Sequence, residues 1–206
     1  MAASMLRNPI LTTTALLTLA ACSQAPADAP PVTGAQWTLD GAASELSYVT
    51  IKAGEIAEVN SFETLSGTVS ADGAANIEID LASVSTGVDI RDERMRDILF
   101  VVADNPTASI SAQIDPAAFE TLAVGASTDT TLDGTLSLRG AEAPFQAQVT
   151  VTRTGPDRVM AVSDAPVIVD AGALELTEGL AQLQELAGLP SITPVVPVTF
   201  SLTFAR

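Results

Sequence analysis

The chain has 206 residues, 47% of them hydrophobic but only 4% aromatic, with nine Lys+Arg against 25 Asp+Glu, a net charge of −16 and no histidine. Nucleic acid and anionic headgroups are excluded as partners by that balance, since neutralising phosphates takes clustered basic residues and the chain has one lysine, Lys52. The absence of histidine removes Ser-His-Asp and Cys-His relays and the common zinc and copper sites.

The first 21 residues read as a signal peptide: one positive charge at Arg7, a short apolar stretch over 16–21, and small residues before the cut. The run Leu19-Ala20-Ala21-Cys22 places the only cysteine where the lipobox of bacterial lipoprotein precursors has its acylated residue. Cys22 is therefore the expected lipidation site and membrane anchor. Two or three acyl chains, at roughly 0.8 kcal/mol per buried methylene, hold a protein stably on a bilayer. The apolar stretch itself is too short to span one, which takes about 20 residues. Acylation of Cys22 leaves no thiol for a disulfide, a metal or a nucleophile. Ser23, by analogy with lipoprotein sorting, points to the outer membrane facing the periplasm of a bacterial envelope. Cleavage removes Arg7, leaving eight basic residues against 25 acids, a charge of −17. Residues 22–36 contain three prolines and no large apolar side chain beyond Val32, and read as a flexible tether. A single domain is expected over 37–206.

From Trp37 onward the hydrophobic period is two. Strands are expected at 44–51, then at 65–70 and 76–81 around an Asp72-Gly73 hairpin turn. A helical segment follows at 90–103, with Asp92 and Arg96 four apart and Met95, Ile98 and Leu99 on its apolar side. Its arginines Arg91, Arg94 and Arg96 alternate with Asp92, Glu93 and Asp97, which reads as a local ion-pair network. Further strands are expected at 107–114, 130–138, 145–152 and 158–162, the last pair joined by Gly155-Pro156-Asp157. A second helix spans 177–187, capped by Thr177, with Leu180, Leu183 and Ala187 on one face and Gly188 at its end. Residues 198–204 close the chain with clean alternation. Seven or more short strands make an all-β antiparallel sandwich or barrel.

No nucleophile elbow, P-loop, dinucleotide fingerprint or calcium loop is present, and the acids fall mostly at turns and on outward strand positions. No catalytic residue, metal ligand or cofactor is therefore assigned, and the chain is read as a binding protein rather than an enzyme.

The order of motifs resembles the YceI-like family of bacterial periplasmic lipid-binding proteins. The strongest block is 85–100, STGVDIRDERMRDILF, followed by Asn105-Pro106 and by Leu132-Asp133-Gly134-Thr135-Leu136-Ser137-Leu138-Arg139-Gly140. Trp37-Thr38-Leu39-Asp40 and the spacing of Phe62, Leu65 and Gly67 fit the family's opening strands. Arg139 stands where the family usually has histidine, which makes that position a turn residue and not a chemical one. The resemblance implies a lipocalin-like antiparallel barrel of about eight strands, with one or two short helices, around a long apolar ligand such as a polyisoprenoid or isoprenoid quinone. Eight strands can fill their interior with side chains or hold a ligand, and a chain this poor in aromatics has little with which to plug a lumen. Candidate contacts are Tyr48, Phe62, Ile79, Phe100, Ile110, Leu136, Leu138, Val149, Phe200 and Leu202, with Tyr48 or Thr50 meeting a polar head. Alternation puts Leu136 with Leu138, and Phe200 with Leu202, on common faces. The alternative is a structural envelope lipoprotein with a packed barrel and a protein partner. A homodimer is left open by the resemblance, although no self-complementary patch is legible.

Overall fold

The computed structural model describes residues 29–206; the signal peptide, Cys22 and most of the expected tether lie outside the described residues. Twelve strand segments follow in chain order: β1 (Trp37–Leu39), β2 (Glu45–Lys52), β3 (Ile56–Phe62), β4 (Leu65–Val69), β5 (Ala74–Asp80), β6 (Val84–Ser85), β7 (Thr107–Gln113), β8 (Ser127–Leu138), β9 (Ala141–Gly155), β10 (Arg158–Ser163), β11 (Val167–Asp170) and β12 (Val195–Ala205). Their order around the sheet is β1-β4-β5-β7-β8-β9-β10-β12-β2-β3-β6, and β1 also pairs with β12. One edge of β12 therefore carries β10 and β11, while the other carries β2 and, lower down, β1. Since β1 continues onto β4 and β2 onto β3, the pairs β1/β2, β3/β4 and β5/β6 are each one broken stave. With β10 and β11 sharing an edge of β12, the result is a closed antiparallel barrel of eight staves, which leaves no long edge unpaired.

The turns follow from residues that tolerate a left-handed backbone. Arg139 and Gly140, with φ of +54° and +83°, make the two-residue turn from β8 to β9, the arrangement that matches strand twist. On the same hairpin Gly134 sits opposite Phe145, and a Cβ there would lie 2.5 Å from the ring. Only glycine lets that ring fold back over the strand.

Helical structure departs from expectation between the strands. Instead of one helix over 90–103, a six-residue α1 (Asp89–Arg94) runs into a π-helical turn, Met95–Phe100. The wider π spacing places Leu99 and Phe100, four and five residues after Met95, on a common face, and all three are buried. Val101 ends the turn at φ +49°, a costly conformation for a β-branched residue. It is held by Asn105, whose amide donates to the Phe100 and Val101 carbonyls, and by Arg139, whose Nη1 donates to the Leu99 carbonyl at 2.9 Å. Arg139 is thus a turn residue with a structural bond across the barrel rim. The second helix, α2 (Thr177–Ala187), has the expected bounds and its Gly188 stop, but Thr177 makes no cap; Leu176 occupies that position.

Two further expectations are corrected. Arg91 does not pair inside its own charged run: it reaches Glu58 on β3, and Asp92 accepts from the backbone N–H of Thr86 and from its hydroxyl, not from Arg96. Residues 30–36 are not free tether. Arg153 and Arg206 donate to the Pro30 carbonyl and Arg206 to that of Pro31, while Trp37 Nε1 donates to Val32 at 2.9 Å. Val32 packs on the core, so the segment straps one end of the barrel.

Candidate ligand cavity

The interior is not uniformly filled. A cavity of about 590 Å³, within the ~300–1,000 Å³ typical of ligand pockets, fills the upper barrel, the end away from the strap, and reaches down to Val69, Ile114 and Phe204. A smaller void of about 100 Å³ lies at the strap end beside Trp37, Phe119 and Val151. The strands deliver its walls by alternation. Leu46 and Tyr48 come from β2, Phe62 from β3, Ile77 and Ile79 from β5, Ile110 from β7, Leu136 and Leu138 from β8, and Phe200 and Leu202 from β12. The π turn adds Met95, Leu99 and Phe100, and α2 adds Leu180 and Leu183. An aromatic row runs along one side: Tyr48 and Phe62 stand 5.4 Å apart by ring centroid, and Phe62 and Phe100 5.8 Å.

Nine of the ten residues expected to face a ligand line this cavity: Tyr48, Phe62, Ile79, Phe100, Ile110, Leu136, Leu138, Phe200 and Leu202. Val149 does not. It is wholly inaccessible, with Ala147 and Val151 also buried beside it on β9. Its inward register is as alternation demands, but neighbouring side chains close over it and leave it no access to the void.

Polar groups collect at one end of the hollow. Thr50, Lys52, Asn60, Thr86, Arg91 and Arg94 all line it there, where the β2–β3 hairpin meets α1. Lys52 Nζ lies 2.6 Å from Glu58 Oε2, and the same oxygen takes Arg91 Nη1. The Lys52 hydrogen bond, with Arg91 beside it, holds the Glu58 carboxyl below its ordinary range. Val88 and Ile90 line the cavity yet are 45% and 52% exposed, so the lumen reaches solvent beside α1. Deeper, Tyr48 donates to Met95 Sδ at 3.8 Å, and burial pushes its hydroxyl far above the usual tyrosine range, keeping it a neutral donor. Sequence does not mark out Asn60, and it places Leu180 and Leu183 on one helix face without assigning them to a ligand. Among the described residues no group of three or more His, Cys, Asp or Glu is placed to hold a metal, and no helix is long and apolar enough to cross a membrane.

An eight-stave barrel around a large apolar cavity defines a lipocalin-like fold. The chain belongs to the YceI-like family, whose domain model matches residues 37–204. Among solved structures it is similar to a polyisoprenoid-binding domain from Saccharophagus degradans implicated in plant cell wall breakdown. That match has 36% identity and a TM-score of 0.80, and covers 82% of this chain and 98% of that one. BcnA of Burkholderia cenocepacia shares the fold at 19% identity and a TM-score of 0.60, over 80% of this chain and 98% of that one. So does a mutant CJ YCEI protein with a monobromobimane guest, at 12% identity and a TM-score of 0.52, over 71% and 84%. No curated protein is matched.

Proposed function

We propose that the protein is a carrier or sequestering protein for a long apolar lipid of the polyisoprenoid or isoprenoid-quinone class, held in the barrel without chemical change. The single observation that carries this is the hollow, apolar upper lumen of about 590 Å³. Burial of a hydrocarbon chain there, at about 25 cal/mol per Å², supplies affinity without any catalytic group. The Saccharophagus degradans relative, a polyisoprenoid-binding domain, supports the choice of ligand class. A packed barrel with a purely structural role loses its premise where the lumen is hollow.

Organic-solvent extraction of the purified protein followed by mass spectrometry tests the reading. An isoprenoid lipid is the expected finding; an extract without apolar lipid, together with no uptake of added prenyl lipid, overturns it. Turnover of the added lipid to a new product would make the protein an enzyme.

The anchor belongs to the same proposal: Cys22 is lipidated and holds the barrel on the periplasmic side of the outer membrane. The lipobox supports it. Cys22→Ser is expected to release the protein from membranes with its fold unchanged by circular dichroism. Retention on membranes after a high-salt wash would refute the lipoprotein reading.

A further inference from the structure

Asn60 stands on the cavity wall with its hydrogen bonding unfinished. It is 4% exposed, and its Oδ1 is the only buried side-chain nitrogen or oxygen without a partner among the described residues. The orientation of the amide is fixed by its other end. Nδ2 donates to Thr50 Oγ1 at 3.1 Å and to the Glu58 backbone carbonyl at 3.3 Å; that carbonyl can only accept, so the nitrogen belongs there and the oxygen is the orphan. Directly across the ladder from Asn60 is Tyr48, whose hydroxyl donates only to a thioether sulfur at 3.8 Å. Sulfur is a weak acceptor, and the bond is readily given up for an oxygen.

The inward residues of β2 and β3 grade from apolar to charged. Leu46 faces Phe62, Tyr48 faces Asn60, Thr50 faces Glu58, and Lys52 stands at the rim. The Tyr48–Asn60 pair is the boundary. It offers a ligand one donor lightly engaged and one acceptor not engaged at all. A hydroxyl can accept from the first and donate to the second; an ether, a quinone carbonyl or a phosphate oxygen offers acceptors alone and would face the Asn60 oxygen with another lone pair. The rim itself stays cationic, since the single carboxylate of Glu58 is shared by Lys52 and Arg91 and Arg94 forms no ion pair among the described residues. It is the unpartnered Asn60 oxygen, not the rim charge, that argues against an anionic head.

We propose that Tyr48 and Asn60 form a head-group site selecting an isoprenoid that ends in a hydroxyl. The inference rests on the carrier reading above and adds the head-group chemistry.

The test uses purified protein stripped of bound lipid and titrated with geranylgeraniol, its methyl ether and its diphosphate. The alcohol is expected to bind about tenfold more tightly than the ether, the ether leaving a buried acceptor unpaired. In Asn60→Leu that preference should fall to within about twofold, through loss of alcohol affinity alone. In Tyr48→Phe the alcohol and the ether should weaken together, since both accept. The two sources of such a hydroxyl, a polyprenol and the reduced head of an isoprenoid quinone, are separated by adding a prenylated hydroquinone and its quinone. The source is whichever shows preference over its hydroxyl-free counterpart. Equal binding of alcohol and ether by the parent, a preference that survives Asn60→Leu, or tightest binding of the diphosphate would each overturn the head-group site. Failure of every prenyl probe to bind would instead sink the carrier reading itself.

Discussion

The two ends of this barrel treat polar groups in opposite ways. At the end closed by residues 30–36, Arg153 is 4% exposed and spends its guanidinium on the carbonyls of Gly155, Leu122, Pro156 and Pro30. Beside it Arg206 stacks on Trp37, 4.6 Å from the ring centroid, and bonds Asp157 and the strap. At the other end an amide oxygen is left unpaired, a tyrosine settles for sulfur, and apolar Val88 and Ile90 stand exposed. Both ends are built from the same strands, so the contrast comes from the side chains supplied to each. Where buried donors are fully spent, the barrel is a finished stopper; where capacity is left over beside a void, it is built to receive something.

The largest expected effect comes from undoing the stopper. Arg153→Met keeps the apolar stem but removes every donor, stranding carbonyls of two turns and the strap. A loss of about 3–5 kcal/mol is expected by urea denaturation, with new protease cleavage within 30–36. A loss below about 1 kcal/mol would mean that the closed end is not held by this residue. Next comes Phe100→Ala in the wall of the hollow, where about 3 kcal/mol is expected from a buried aromatic. It is less than at the closed end because the ring already borders empty space.

Filling the hollow sharpens the comparison in the other direction. Leu136→Trp or Leu202→Trp projects a larger ring into the lumen and should lower binding of a hydrophobic probe at least tenfold, with the fold intact by circular dichroism. If both variants bind as the parent does, the upper lumen is not the binding space. Val149, closed off from the void, should respond differently: Val149→Trp is expected to reduce stability, because its neighbours leave no room there.

Much of this contrast was legible along the chain, and each exception has its own physical cause. Strands with apolar residues on one side and polar on the other, such as β5 with Ile77 and Ile79, announce both their type and their inward face. β3 inverts that rule over most of its length: Asn60 lines the cavity and Glu58 shares its face at the rim while Val59 is 72% exposed, and only Phe62 follows the apolar-inward pattern. The inversion is the head-group end itself, where the wall must be polar. The strap escaped notice for a different reason: it is fixed by Arg153 and Arg206, more than 120 residues away, and nothing in a proline-rich run encodes partners so distant. For Val149 the register was right, but whether an inward residue borders the void depends on how eight staves fill the barrel together. The π turn is a middle case: Met95, Leu99 and Phe100 were all recognisable as apolar, yet their spacing fits an α-helix only loosely.

The smallest expected effect concerns the rim. Glu58 takes hydrogen bonds from Lys52 and Arg91, with side chains 32%, 20% and 25% exposed, and its carboxyl is held below the ordinary range. A lowered folded-state pKa stabilises the protein above the unfolded value, near 4.5, and that contribution is lost as pH falls through the folded value. Solvent reaches all three groups, so the cluster contributes less than about 1 kcal/mol. Comparing urea midpoints at pH 7 and in the acid range, Glu58→Gln should be slightly less stable at pH 7 and converge with the parent in acid. Added salt should shrink the neutral-pH gap, since partly exposed ion pairs are screened. A gap that persists unchanged in acid would show Glu58 acting through packing rather than charge. The rim would then be structural, as the opposite end is, and the contrast between the two ends would rest on Asn60 and the void alone.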